Sequence, residues 1–146
     1  MKTTAVSETI HVGQVRIRFL LEAEETNGSL SMFEAEIPAG ARVPAAHSHD
    51  RFDEVAYGLD GACVWTIGGV RHEIGPGDSV FIPRGVPHRF DNEGDVTARQ
   101  LAVATPGLMT ADYFREIGEA LNGGGPPDIA QIHEIMRRYG MTPVSS

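Results

Sequence analysis

The chain has 146 residues, a formal net charge of -8 and a sequence pI of about 5.1, with Cys63 as its one cysteine. That length is enough for a single domain with a continuous core, and the acidic balance argues against nucleic acid or anionic membranes as partners. A lone cysteine permits no intramolecular disulfide and suits a reducing compartment. The N-terminal run Met1 to Ile10 is polar where an export signal would be apolar, and no segment approaches the roughly 20 apolar residues that cross a bilayer, so a soluble, cytoplasmic protein is expected.

In chain order, His11 to Glu22 alternates apolar Val15, Ile17, Phe19 and Leu21 with polar Gln14, Arg16 and Arg18, the period of a half-buried strand. Glu24 to Gly28 reads as a turn and Ser29 to Ile37 as a second strand, which Pro38-Ala39-Gly40 stops. Strands are then predicted over 54–59, 62–67, 70–74, 79–82, 87–91 and 96–104, separated by Asp60-Gly61, Gly68-Gly69, Gly75-Pro76-Gly77-Asp78, Pro83-Arg84-Gly85 and Asn92-Glu93-Gly94-Asp95. Short strands every eight to ten residues, punctuated by Gly and Pro, indicate a sandwich or barrel over about 11–105.

Past Pro106 the period lengthens to that of a helix. Tyr113, Phe114, Ile117 and Leu121 share one face, and Ile129, Ile132, Ile135, Met136 and Tyr139 share another, which predicts two amphipathic helices over about 108–140. The Gly123-Gly124-Gly125-Pro126-Pro127 run is a connector, Asp128 with Gln131 suits the second helix's N-terminus, and Gly140 its end. Both helices are expected on the barrel's outer surface, with a frayed tail over 141–146. No internal repeat is visible, and the whole of 1–146 reads as one domain.

The chemistry concentrates between Gly40 and Asn92. The residues run Gly40-x6-His47-x-His49-x4-Glu54-x6-Gly61, then fifteen others, then Gly77-x5-Pro83-x-Gly85-x2-His88-x3-Asn92. On an extended segment, residues two apart point the same way, so His47 and His49 can face one interior while barrel closure brings His88 opposite. Three imidazoles and one carboxylate suit a divalent metal and leave coordination positions open, the mark of a catalytic site rather than a closed structural one. Asp53 adjoins Glu54 and offers a second carboxylate, which spacing on its own leaves open. His11, His72 and His133 have no ligand-spaced partner and read as surface or rim groups, and Cys63 reads as a small buried hydrophobe. Phe52, Tyr57 and Trp65 read as core or interface aromatics near the motif.

These two blocks resemble the paired motifs of the cupin superfamily. The second matches at every fixed position. The first matches at His47, His49, Glu54 and Gly61, with one residue more than usual after Gly40. The resemblance implies an all-β double-stranded β-helix, or jelly-roll, barrel with the metal inside one end, liganded by His47, His49, Glu54 and His88, in a homodimer. With its helical tail the chain is similar to quercetin-dioxygenase-like cupins, which implies a metal-dependent dioxygenase acting on a small hydroxylated or enolisable organic substrate. Glu54 then either completes the metal shell or takes a proton from the substrate. Oxygen chemistry calls for Fe, Mn, Ni or Co, with one ion per subunit, whereas Zn suits the alternatives of a metal-dependent isomerase or lyase, or a non-catalytic ligand-binding protein.

Overall fold

Alternating burial builds the barrel in the computed structural model, which describes residues 8–41 and 46–144. Eleven strands and two helices are present among them: β1 (Ile10–Val12), β2 (Val15–Leu21), β3 (Ser31–Ile37), β4 (His47–His49), β5 (Asp53–Asp60), β6 (Cys63–Ile67), β7 (Val70–Ile74), β8 (Ser79–Ile82), β9 (His88–Asp91), β10 (Ala98–Thr105), α1 (Ala111–Asn122), α2 (Ile129–Arg138) and β11 (Met141–Pro143). The strands form two antiparallel sheets, ordered β1-β2-β3-β10-β5-β8 and β11-β4-β9-β6-β7. On β3, Ser31, Phe33, Ala35 and Ile37 point inward, and on β10, Ala98, Gln100, Ala102 and Ala104 do so. Each large apolar side chain taken in this way contributes about 1.5–3 kcal/mol through the water it releases. The jelly-roll expectation is therefore met, with antiparallel pairing throughout.

Three expectations change. The strand read over His11 to Glu22 is a hairpin, because Val12 and Val15 both point inward and pair across the Gly13-Gln14 turn. The frayed tail becomes, over Met141–Pro143, an edge strand in register with β4, pairing Met141 with His49 and Pro143 with His47; Met141 is fully buried. Its composition gave no strand signal, since the segment is three residues long and draws its order from the partner. Ser145, Ser146 and the first seven residues of the N-terminal reading lie outside the described residues.

The helices also differ from expectation. They close the side of the sandwich where β1 and β11 are the free edges, α1 packing on β1 and α2 on β11. Thr110 caps α1 by accepting from the Tyr113 N–H at 3.1 Å, and Asp128 caps α2 by accepting from Gln131 at 3.2 Å. Gly140 follows α2 at φ +77, the left-handed position that the sequence assigns to it. Gly118 lets α1 approach β1, because a Cβ there would lie 2.3 Å from the His11 carbonyl oxygen. Asn122 locks the contact, its amide donating to the His11 carbonyl at 2.7 Å and accepting from the Gly13 N–H at 3.1 Å. Tyr113, Phe114, Ile117 and Met136 thereby face the barrel interior instead of lying on its outside.

Candidate metal centre

The start of the first motif block meets the end of the second. Gly40 donates its N–H to the Asn92 carbonyl, and the Asn92 N–H returns to the Ala41 carbonyl, both at 2.9 Å. The buried Asn92 side chain fixes this corner by donating to the Ile37 and Val96 carbonyls and accepting from the Gly94 N–H. Between these ends, β4 is held by β11 on one side and by the single register pair His47 with His88 on β9. Further bonds run from the Gly85 N–H to the His49 carbonyl and from the Asp50 N–H to the Gly140 carbonyl.

The ligand atoms of His47, His49 and His88 lie within 4.8 Å of one another. The Nε2 atoms of His47 and His49 are 3.2 Å apart, a gap that one proton at most can occupy. His88 Nδ1–H donates to the Val86 carbonyl at 3.0 Å, which fixes the tautomer and turns the Nε2 lone pair toward the cluster, the outer-shell arrangement that orients imidazole ligands. His49 is fully buried and its ring stacks on Phe52 at 4.2 Å and 17°. Its Nδ1 has no hydrogen-bond partner, so stacking on Phe52 and the contact of its Nε2 with His47 set the ring.

Electrostatics favour neutral imidazoles and hence metal ligation. Burial, reinforced by His47 and His88, pushes the His49 pKa down to about 2, and burial lowers that of His88 against the pull of the Val86 carbonyl. Glu54, on β5 and 4% exposed, places Oε1 3.7 Å from His49 Nε2, beside the triad. Burial raises its carboxyl to about 8, so it ionises at neutral pH only with a positive charge nearby, which an ion among the histidines supplies. Three converging lone pairs, an oriented tautomer and a displaced carboxylate fit one transition-metal ion.

The sequence's ambiguity between Asp53 and Glu54 has a geometric answer. Asp53 points away and accepts from Arg84 through the backbone N–H at 2.8 Å and the guanidinium at 3.1 and 3.3 Å, which holds its carboxyl below its ordinary range. Cys63 donates to the Asp91 carbonyl at 3.3 Å, and burial pushes its thiol up to about 12. Phe52 supports His49, Tyr57 is exposed, and Trp65 stands in the wall beside His88 at 6.0 Å between ring centroids.

A cavity of about 80 Å³ opens beside the triad. His47, His88 and Glu54 line it together with side chains of β2, β3 and α1. Parity along β3 and β10 carries the barrel part of this wall, but the α1 contribution has no ligand-like residue to announce it.

Comparison with known proteins places these observations. A cupin domain model matches residues 33–104. Over 76 residues the chain is 32% identical to an uncharacterised protein of Methanocaldococcus jannaschii, covering 52% of this chain and 60% of that one. The chain spans 60% and 54% of the length of two curated relatives that it matches. Among solved structures, it is similar to a predicted oxalate decarboxylase from Thermotoga maritima at 27% identity and a TM-score of 0.63, over 69% of this chain and 92% of that one. It is also similar to a cupin-superfamily sugar phosphate isomerase from Silicibacter pomeroyi at 25% identity and a TM-score of 0.56, over 64% and 60% of the two chains. No helix among the described residues is long and apolar enough to cross a membrane.

Proposed function

The chain belongs to the cupin superfamily, and from that premise we propose that it is a metal-dependent, dioxygenase-like oxidoreductase acting on a small hydroxylated or enolisable organic molecule. The observation that carries this reading is that His47 and His88 of the histidine triad line a mostly apolar cavity. A structural ion needs closed coordination and no adjoining space, whereas a catalytic one needs room for a substrate.

In this reading His47, His49, His88 and Glu54 hold one divalent ion. A redox-active ion of the Fe, Mn, Ni or Co type supplies Lewis acidity and an electron path to dioxygen, and Zn supplies Lewis acidity alone. The protein's own groups do the rest. The Val86 carbonyl holds a proton on His88 Nδ1, and Phe52 keeps the His49 ring in place. Glu54, which burial keeps protonated at neutral pH unless an ion lies beside it, would be ionised by that ion and then either complete its shell or accept the proton of a substrate hydroxyl, while the mostly apolar cavity wall disfavours competing water. The reading takes the chain as one domain working as a homodimer, in keeping with the exposed Tyr57 and Phe81 on the outer face of the large sheet.

The test is oxygen uptake by protein loaded in turn with Fe, Mn, Ni and Co, across flavonols, β-diketones and catechols. Uptake dependent on one of these metals and lost in Glu54→Gln is expected. No uptake with any metal overturns the oxygenase assignment and favours an isomerase or lyase, toward which the similarity to the sugar phosphate isomerase points.

A further inference from the structure

The cavity's lining divides into two kinds of chemistry. Away from the histidines the wall is mostly apolar, built from Val15, Ile17, Phe33, Ala35, Phe114 and Ile117 among others, with Tyr113 also on it. The space exists partly because three inward positions are alanine: Ala35 on β3, Ala56 on β5, and Ala102 on β10, the last registered between Phe33 and Ala56. Among the described lining residues the charged side chains are Glu54 and Arg89. The Arg89 guanidinium is taken by Asp91, with Nε to Oδ2 at 3.1 Å and Nη2 to Oδ1 at 2.9 Å. Gln100 is likewise occupied, its Oε1 accepting the Trp65 indole N–H at 2.7 Å.

Apart from an ion on the histidines, which can pair one anionic group, a phosphate or a second carboxylate finds no uncommitted cation among the lining side chains, and desolvating such an anion without a partner costs several kcal/mol. A polyol fares little better, because each buried hydroxyl left unpaired costs about 1–3 kcal/mol. An apolar body loses nothing there and gains from leaving water.

Resting on the metal reading above, we propose that the substrate is a neutral molecule with a compact apolar body, a single ring or a branched chain, and one small oxygen-bearing head. The head lies toward the histidines and the body under α1. Sugar phosphates and short dicarboxylates are not substrates of this site, in contrast to what the names of the similar solved structures state for those proteins. The cavity of about 80 Å³ is about half the roughly 150 Å³ of an engineered cavity that holds benzene. Entry of a ring therefore displaces Phe114, which packs edge-on against Phe33 at 5.3 Å, and Phe114 and Ala35 set the size of body admitted.

The chain's one tryptophan, Trp65, lines the cavity, so its indole N–H resonance reports occupancy without any assay of turnover. Zinc-loaded protein, which is diamagnetic, and metal-free protein are titrated with phenol, malonate and glucose 6-phosphate and followed by proton-nitrogen correlation spectra. Phenol is expected to shift the indole signal saturably in both, and in the metal-free protein, where no ion can pair an anion, to bind at least about ten-fold more tightly than either anion. Ala35→Leu is expected to weaken phenol binding about ten-fold through lost space, with zinc content unchanged. Phe114→Ala, which enlarges the lobe, is expected to bind 4-ethylphenol more tightly than the unaltered protein does. Tighter binding of either anion than of phenol by the metal-free protein overturns the proposal, as does wild-type phenol affinity in Ala35→Leu. If the unaltered protein retains no zinc, the metal reading fails separately. Benzene titrated into the metal-free protein then tests the lobe alone: a saturable indole shift supports it and a flat titration overturns it.

Discussion

Met141→Ala tests the least expected element of the fold, the C-terminal strand that holds the histidine strand. Met141 is fully buried and pairs with His49, and β4 has three register pairs with β11 but only one with β9. Truncating a buried methionine to alanine costs about 2–5 kcal/mol, through lost transfer energy and the space left behind. The site lies at a sheet edge under α2, where neighbours partly relax, so a loss of about 3 kcal/mol is expected. At a urea m-value of about 2 kcal/mol/M, the unfolding midpoint falls by about 1.5 M with the slope unchanged. Loosening of β4 should also raise the metal dissociation constant about ten-fold, the equivalent of about 1.4 kcal/mol. A midpoint shift below about 0.3 M, with metal affinity unchanged, would show that residues 141–143 do not support β4, and would refute the reasoning.

Gly118→Ala sets helix propensity against sterics. Alanine gains about 1 kcal/mol within a helix, but its Cβ would lie 2.3 Å from the His11 carbonyl, a backbone atom that cannot turn aside. The clash should win by about 2 kcal/mol, lowering Tm by roughly 4–8 °C, and an unchanged or raised Tm contradicts the packing of α1 on β1. Cys63 should resist a thiol reagent at pH 8 in the folded protein. With its pKa raised to about 12, only about one thiol in ten thousand is ionised there; reactivity should rise only as pH approaches 12 or on unfolding, and rapid labelling of native protein contradicts this. Asp53→Asn should leave metal content at the wild-type level, because that carboxylate is committed to Arg84, whereas Glu54→Gln should weaken metal retention; the reverse pattern in elemental analysis would restore Asp53 as the ligand.

Much of the barrel was legible because burial on a strand writes itself as alternation, as Phe33, Ala35 and Ile37 show. Glycine and proline marked the turns between β5 and β9, where strand limits fall within a residue or so of those predicted. The triad was legible because two histidines two apart on one strand, and a third on a paired strand, are a spacing that topology preserves. Other features depend on contacts with no local signature. The Val12–Val15 hairpin hides in a run whose apolar residues look periodic on both sides of the turn. β11 is too short to show a period and is ordered by β4. The helices' amphipathic faces were plain, but an apolar face does not say whether it covers a barrel's outside or closes its interior. The family spacing favoured Glu54 over Asp53, and the commitment of Asp53 to Arg84 is visible only in three dimensions.

The central claim is that His47, His49 and His88 hold one metal ion. Elemental analysis of protein purified without added ions, beside His49→Ala and His88→Ala, tests it most directly. The account predicts close to one transition-metal ion per chain in the unaltered protein, and near-complete loss in both variants with the far-ultraviolet circular dichroism of the barrel preserved. Full metal occupancy in both folded variants would contradict it.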